Sequence, residues 1–448
     1  MTRVRPWTLV LVVASVTACA PFSRAQGPEA ARGAKAAAAR AAAIKALRAS
    51  IDTAINAPKF RSAMWGALIV DPEHGDTLYS HNAAKLFLPA SNEKVITAAV
   101  ALATLGPDFR FTTRVAYSGS LRDTMIAGDL VVFGSGDPSF SDRVSGDAMI
   151  PLYGMADSIR ARGIRRIDGR LRRGKPVFTD VPIGFGWAWD DLAQSYGATV
   201  GDLMFNDAFT PVHIAIDGLP DTSRTPAPRY KHFLDAFNAA MYERGVNVFL
   251  GYDWLTPVPD SGLTTLFTYQ SPPLSDLLRH FTKPSQNQIG EILLKTLGLT
   301  QTGAGRADSG AAVVARKLVS WGADSAGFVV RDGSGLSRHD YVSPETIVRV
   351  LEAVRRDSTF GIFYNALPIG GTDGTLERRF QSTATAGNVH AKTGSMDRVR
   401  SLSGYVTTAD GHLLEFAIFA NGWTTTGTEV ESSIDAIVAR LANLHLGR

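Results

Sequence analysis

Ser91 and Lys94 stand three residues apart in the stretch Leu88-Pro89-Ala90-Ser91-Asn92-Glu93-Lys94-Val95. Serine is a poor nucleophile until a neighbouring base takes its proton, and a lysine stripped of water can be that base. The spacing serves this chemistry only on a helix, where positions i and i+3 share a face one turn apart. Pro89 stops whatever precedes it, and Val95, Ala98, Ala99, Leu102 and Leu105 then recur at helical spacing. Ser91 is therefore expected at or just inside the first turn of a helix built for burial. There the macrodipole favours developing negative charge, and free N–H groups point at whatever the serine attacks. The pair alone is a weak signal, because S-x-x-K recurs by chance roughly once or twice in a chain this long. An N-cap serine beside a solvated lysine is the ordinary alternative.

Two further motifs shift that balance. Ser285-Gln286-Asn287 and Lys392-Thr393-Gly394 follow in the order S-x-x-K, S-x-N, K-T-G. That set belongs to serine acyl-transferases of the penicillin-binding and β-lactamase type. Another S-x-N, Ser80-His81-Asn82, precedes the S-x-x-K and is in the wrong order. S-x-x-K and K-T-G each occur once.

The elements that must position these residues follow from composition and periodicity. With 448 residues, 45% of them hydrophobic and 20% charged, the chain can build two or three domains. A net charge of +4 with both signs interspersed argues against a nucleic-acid partner and permits contact with mildly anionic polymers. The nine histidines are scattered, with no H-E-x-x-H and no Cys/His cluster, so neither a metal nor a cofactor has support in the sequence. Arg3, Arg5 and the apolar run Leu9 to Val16 make an export signal too short to span a bilayer permanently. Val16-Thr17-Ala18-Cys19 follows, and Cys19 is the single cysteine. It reads as a lipobox whose cysteine is lipidated; cleavage after Ala20 or Ala25 is the simpler alternative.

Residues 27–43 form an Ala-rich tether running into helix, and Ile44, Leu47, Ile51 and Ile55 give the first apolar stripe. Trp65 to Val70 and Thr77 to Tyr79 read as a hairpin that leads into the Ser91 helix. After Gly106-Pro107 short alternating segments suggest an inserted α/β unit over 107–270, including a helix over Met149 to Arg162 and a strand from Arg165 to Arg170. Within it, Gly186 to Asp191 carries two tryptophans and two acids, either an aromatic anchor under a loop or a binding loop for an amine-bearing ligand. Residues 271–448 return to the first unit: Ser285 opens a helix, Asp332 to Arg338 makes a Gly-rich turn lining the site, and Ser401 to Ala420 forms a hairpin. The first and last helices are expected on one face of an antiparallel sheet.

From residue 44 onward the chain resembles the class C low-molecular-mass penicillin-binding proteins, the serine D-alanyl-D-alanine carboxypeptidases and endopeptidases of bacterial cell walls. Besides the three motifs, Pro89 to Lys94, Gly134 to Pro138, Gly186 to Asp191, Asp332 to Arg338 and Gly371 to Thr375 carry the likeness. The resemblance implies an α+β fold: a β-lactamase/transpeptidase-like domain in two parts, 44–106 and 271–448, with an inserted α/β domain. It departs from the family at Gln286, where aspartate is commoner. It departs again at Pro211 to Arg229, a short loop where a third domain usually sits.

By the same resemblance Ser91 is the nucleophile and Lys94 its base, made neutral by burial and the nearby Lys392 charge. Ser285 passes a proton to the leaving amine, Asn287 binds a substrate amide, and the backbone of Ser91 and Ser395 forms the oxyanion hole. Thr393, Gly394 and Ser395 bind the terminal carboxylate, while Arg338, Asp190 and Trp187 read the peptide stem. The implied partners are peptidoglycan peptides and β-lactams, in the periplasm or envelope. A β-lactamase is the nearest rival, but no glutamate after Ser285 has Asn at i+4. An esterase lacks a G-x-S-x-G elbow. A non-enzymatic wall-binding or β-lactam-sensing lipoprotein predicts a lost catalytic residue, and none is lost.

Overall fold

The computed structural model describes residue 1 and residues 28–197, 199–208, 228–381 and 384–447. The signal-like segment with Cys19 and most of the Pro211 to Arg229 loop lie outside the described residues.

One antiparallel sheet of five strands runs in the order His390–Met396, Val399–Thr407, Leu413–Asn421, Met64–Asp71, Asp76–His81. The Leu413–Asn421 strand shows why it is central. Successive side chains point to opposite faces, so Leu414, Phe416, Ile418 and Ala420 enter one core while Ala417 and Phe419 enter the other. The first core is closed by the terminal helices Pro28–Ile55 and Gly427–Ala442, through Leu47, Ile51, Ile434 and Val438. Residues 28–43, read above as a tether, thus belong to a helix that is continuous with the Ile44 to Ile55 stripe. The second core holds the Ser91 helix, Glu93–Leu105, with helices Leu274–Thr282, Asn287–Thr302, Ala307–Ser320 and Pro344–Arg355.

Between residues 112 and 270 the chain builds sheets of its own. Five strands run in the order Tyr252–Val258, Leu171–Gly174, Leu130–Phe133, Thr112–Tyr117, Thr264–Gln270, with both parallel and antiparallel pairs. Helices Met149–Ala161 and Pro228–Glu243 pack on it through Leu152, Met155, Phe233 and Phe237. The strand read from Arg165 to Arg170 is divided. Arg166–Ile167 joins a separate small sheet, and Leu171–Gly174 joins the larger one. The two-residue match was too short for periodicity to separate.

Candidate active site

The chain reaches Ser91 through a single 3-10 turn, Ala90–Asn92, which then runs into the helix Glu93–Leu105. Ser91 is half-buried at this junction and its side chain caps nothing. Lys94 is wholly buried. Its Nζ lies 2.9 Å from Ser91 Oγ, 2.6 Å from Asn287 Oδ1 and 2.6 Å from the Ser334 carbonyl. Burial lowers its pKa to about 7, against the opposite pull of Asp332, Glu291, Glu93 and Asp340. A neutral amine has two N–H groups and one lone pair. The Asn287 and Ser334 oxygens take both N–H groups, which leaves the lone pair to accept the Ser91 hydroxyl proton.

Asn287 starts the helix Asn287–Thr302, and Gln286 is its N-cap, its side chain accepting from Gln288 N at 2.7 Å. Capping is the role that the residue between Ser285 and Asn287 fills here. Ser285 therefore precedes the helix rather than opening it. Its φ of +61° lies in the left-handed region that a side chain seldom adopts, and such strain concentrates at functional positions. Asn287 Nδ2 donates to the Tyr196 carbonyl at 3.0 Å, so each end of this amide has one protein partner and keeps capacity for another.

The strand His390–Met396 carries K-T-G along the edge of the main sheet. Lys392 is buried, and burial together with the Lys94 charge holds its pKa well below the usual lysine value. Its Nζ donates to the Thr393 carbonyl at 2.9 Å, and Thr393 Oγ1 donates to Thr375 Oγ1 at 2.8 Å. Asn92 joins this strand to the serine turn. Its amide donates to the Lys392 carbonyl at 3.1 Å and to Ser401 Oγ at 2.7 Å, and it accepts from the Ser403 hydroxyl. Ser401 in turn donates to the Pro89 carbonyl at 2.7 Å. A cavity of about 210 Å³ opens beside the strand, lined by Thr375, Thr393, Gly394, Ser395 and Arg400 among others.

Gly394 is where turn and strand meet most closely. A Cβ there would lie 2.1 Å from Ser401 Oγ and 2.5 Å from the Pro89 carbonyl. Gly394→Ala must push the strand off the serine turn, at a cost of about 1–3 kcal/mol. Because small misplacements of reacting groups are amplified in rate, any acyl transfer carried by Ser91 should slow by about 100-fold. Stopped-flow acylation beside a thermal melt checks this; an unchanged rate would remove the strand from the site.

Sequence reasoning missed a buried acid cluster beneath Lys94. Asp332 organises the Gly-rich loop, accepting from the backbone N–H groups of Ser334, Gly335 and Ser337 at 3.1, 2.6 and 2.7 Å. Glu291 accepts from Gly333 N at 3.1 Å, and burial beside Asp332 raises its pKa to about 8. Glu93 is wholly buried with neither carboxyl oxygen hydrogen-bonded, and burial, Asp332 and Glu291 raise its pKa well above 4.5. Asp340 is raised likewise, by burial and then Asp332. The available signal was an acid inside an apolar stripe, as Glu291 is between Ile289 and Ile292.

Glu93 makes stability depend on pH. The unfolded chain releases this proton near 4.5 while the native state keeps it, so the native state binds more protons and stability falls as pH rises through that window. Glu93→Met should therefore raise the melting temperature little at pH 5 and clearly more at pH 8. Melts at the two values decide it, and equal gains would mean that Glu93 is ionised in the native state.

Trp187 is half-buried and its indole N–H donates to Asp332 at 2.8 Å, so it anchors its loop to the Gly-rich turn. Trp189 and Asp190 are exposed, and Asp191 is buried, accepting from Ala188 N at 3.2 Å and the Tyr196 hydroxyl at 3.3 Å. Arg338 is half-buried, its backbone N–H donating to the Gly186 carbonyl at 3.3 Å. Tyr196 feels both charges. Its pKa is raised by burial, Asp191 and Asp190, and Arg338 opposes this.

Comparison with known proteins places this arrangement in context. The family model described as the D-Ala-D-Ala carboxypeptidase 3 (S13) family matches residues 47–244 and 222–444. A D-alanyl-D-alanine carboxypeptidase of Actinomadura sp. (strain R39) is 30% identical, over 88% of this chain and 84% of the relative. The D-alanyl-D-alanine carboxypeptidase DacB of Haemophilus influenzae is 27% identical, over 82% of this chain and 87% of the relative. Among solved structures, penicillin binding protein 4 of Haemophilus influenzae superposes with a TM-score of 0.72 at 22% identity, covering 88% of this chain and 98% of its own. A predatory endopeptidase of Bdellovibrio bacteriovorus, Bd0816, gives 0.55 at 19% identity, covering 85% and 93%. At these identities the structural likeness speaks for the fold, which is α+β with a transpeptidase-like domain.

Proposed function

The chain belongs to the D-Ala-D-Ala carboxypeptidase 3 (S13) family, and we propose that Ser91 is the nucleophile of its peptidase reaction and Lys94 the base. The protein is a serine-type D-Ala-D-Ala carboxypeptidase/endopeptidase. In the first step Ser91 Oγ bonds to the carbonyl carbon between two D-alanines while its proton passes to Lys94 Nζ. The backbone N–H groups of Ser91 and Ser395 receive the developing oxyanion. The C–N bond then breaks, and the departing amine takes a proton from Ser285, which Lys94 replenishes. Water, deprotonated by the same lysine, then adds to the acyl carbon, the ester C–Oγ bond breaks, and Lys94 returns the proton to Ser91 Oγ. Lys392 supplies the proton donors that order Ser285, and Thr393, Gly394 and Ser395 hold the terminal carboxylate. Asn287 holds Lys94 and a substrate amide, while Arg338, Asp190 and Trp187 face the peptide stem.

The observation that carries this reading is the Lys94 amine, buried and within hydrogen-bond distance of both Ser91 Oγ and Asn287 Oδ1. The substrate is a peptidoglycan stem peptide or cross-link, and a β-lactam acylates the same serine. A Haemophilus influenzae relative of this fold is recorded complexed with a β-lactam. The unit boundaries follow the chain: residues 44–106 and 271–448 build the transpeptidase-like domain, and 107–270 the inserted one, with only the short stretch Pro211 to Arg229 where a third domain would sit. The signal sequence exports the protein to the periplasm or envelope, where Cys19 carries a lipid anchor. No helix among the described residues is long and apolar enough to cross a membrane.

Intact mass after excess benzylpenicillin tests the proposal. A lasting one-to-one adduct on the peptide containing Ser91 is expected. Rapid drug hydrolysis without an adduct would point to a β-lactamase, and neither adduct nor hydrolysis in folded protein would leave a binding module.

A further inference from the structure

Far from Ser91, two tight turns of the main sheet bring together two histidines and two carboxylates. Asp71, Glu73 and His74 belong to the turn between the strands Met64–Asp71 and Asp76–His81. His412 ends the turn before Leu413–Asn421. Ala417 lies opposite Ser403, which lies opposite Lys392. His412 is five residues before Ala417, so it sits roughly 17 Å along the sheet from the K-T-G level at the usual strand rise.

One ligand atom each from Asp71, His74 and His412 falls within 4.8 Å of the others. His74 Nδ1 is 3.0 Å from Asp71 Oδ2, and His412 Nδ1 is 3.7 Å from both Asp71 Oδ2 and Glu73 Oε2. Ligands about 2.0–2.1 Å from a tetrahedral ion stand about 3.4 Å apart, in the middle of these separations. His412 supplies the second, independent observation. Its side chain is only 7% exposed, and its Nδ1 has no hydrogen-bond partner.

The other ring nitrogen, Nε2, lies 3.1 Å from the Gly447 carbonyl, which can only accept, so Nε2 carries a proton. In the neutral ring Nδ1 then bears a buried lone pair aimed at carboxylate oxygens. A cation held between them would satisfy both the ring nitrogen and the carboxylates. A backbone carbonyl on the far nitrogen is also how metal-binding histidines are commonly oriented. Asp71 is buried and fixed by Glu73 N at 3.2 Å on Oδ1 and by Arg40 at 2.6 Å on Oδ2, the oxygen that also shares a 3.0 Å hydrogen bond with His74 Nδ1 and that an ion between the histidines would take over.

We propose that His74 Nδ1, His412 Nδ1 and Asp71 form a structural Zn²⁺ site that clasps the two turns beneath the N-terminal helix, with the exposed Glu73 carboxylate, 3.7 Å from His412 Nδ1, closing in as the fourth ligand. Two imidazoles with two carboxylates suit zinc better than calcium or magnesium, which take oxygen ligands. With Glu73 drawn in, protein would fill all four positions, and the ion would stabilise the fold without opening a site for chemistry.

The test is calorimetric titration of ZnCl₂ into the untagged, chelator-treated protein, with thermal melts with and without Zn²⁺. One equivalent should bind with a dissociation constant below about 1 µM and raise the melting temperature by several degrees, metal binding being coupled to folding. His74→Ala, at an exposed position that should fold normally, should weaken binding at least 100-fold, and His412→Gln should do the same. Benzylpenicillin acylation should be unaffected by Zn²⁺ or by His74→Ala. Absence of saturable binding, a dissociation constant above about 100 µM, or equal affinity in His74→Ala overturns the proposal.

Discussion

Ser91→Ala will lower D-alanine release from a D-Ala-D-Ala peptide by about 10⁴- to 10⁶-fold, the range lost when the nucleophile of a serine peptidase is removed. The covalent route disappears with the hydroxyl, whereas what remains is transition-state stabilisation by N–H groups, which the substitution leaves in place. The variant should fold normally. Ser91 is half-buried, makes no cap, and is one of three partners of Lys94, the others being Asn287 and Ser334. A melting temperature within a degree or two of the parent would show that the loss is chemical. Activity within tenfold of the parent would remove Ser91 from the mechanism.

The acylation rate should climb tenfold per pH unit below about 7 and level off above it. This profile follows from the Lys94 pKa, lowered to about 7 by burial. Below that value the ammonium has no lone pair for the Ser91 proton; above it the amine does. The sign is opposite to that of a mechanism needing an ammonium acid, which would slow as pH rises. Lys94→Gln should lose about 10²- to 10⁴-fold at pH 8 and lose the slope as well. Single-turnover benzylpenicillin acylation from pH 5.5 to 8.5 decides between them. A flat profile in the parent protein would mean that another group removes the proton.

Gln286 shows how local and distant reasoning divide. The S-x-N spacing is plain in the sequence, and it suggests a helix opened by Ser285, two residues before the observed start at Asn287. Gln286 takes that role instead and leaves Ser285 in a left-handed conformation. Trp187 makes a related point. An aromatic beside acids on a loop is compatible with anchoring or with binding, and only its bond to Asp332 shows where its N–H is spent. The Asp332 loop was legible as a turn lining the site, yet its four-carboxyl surroundings were not. Glu93, Glu291, Asp332 and Asp340 are separated by up to about 250 positions, and no local pattern announces their meeting.

What the sequence determined by itself was the chemistry available and the class of fold. Motif types, their order, and the alternation and helical spacing of apolar residues depend on local geometry, which a chain carries wherever it folds. The terminal helices and the Ser401 to Ala420 hairpin were legible for that reason. Tertiary structure alone decided the protonation of Lys94, because a pKa answers to burial and to charges brought from elsewhere in the chain. It likewise decided the splice of Asn92 to the K-T-G strand and the approach of His412 to Asp71, 341 positions away. Such contacts are set by sheet register and packing, which are properties of the whole molecule.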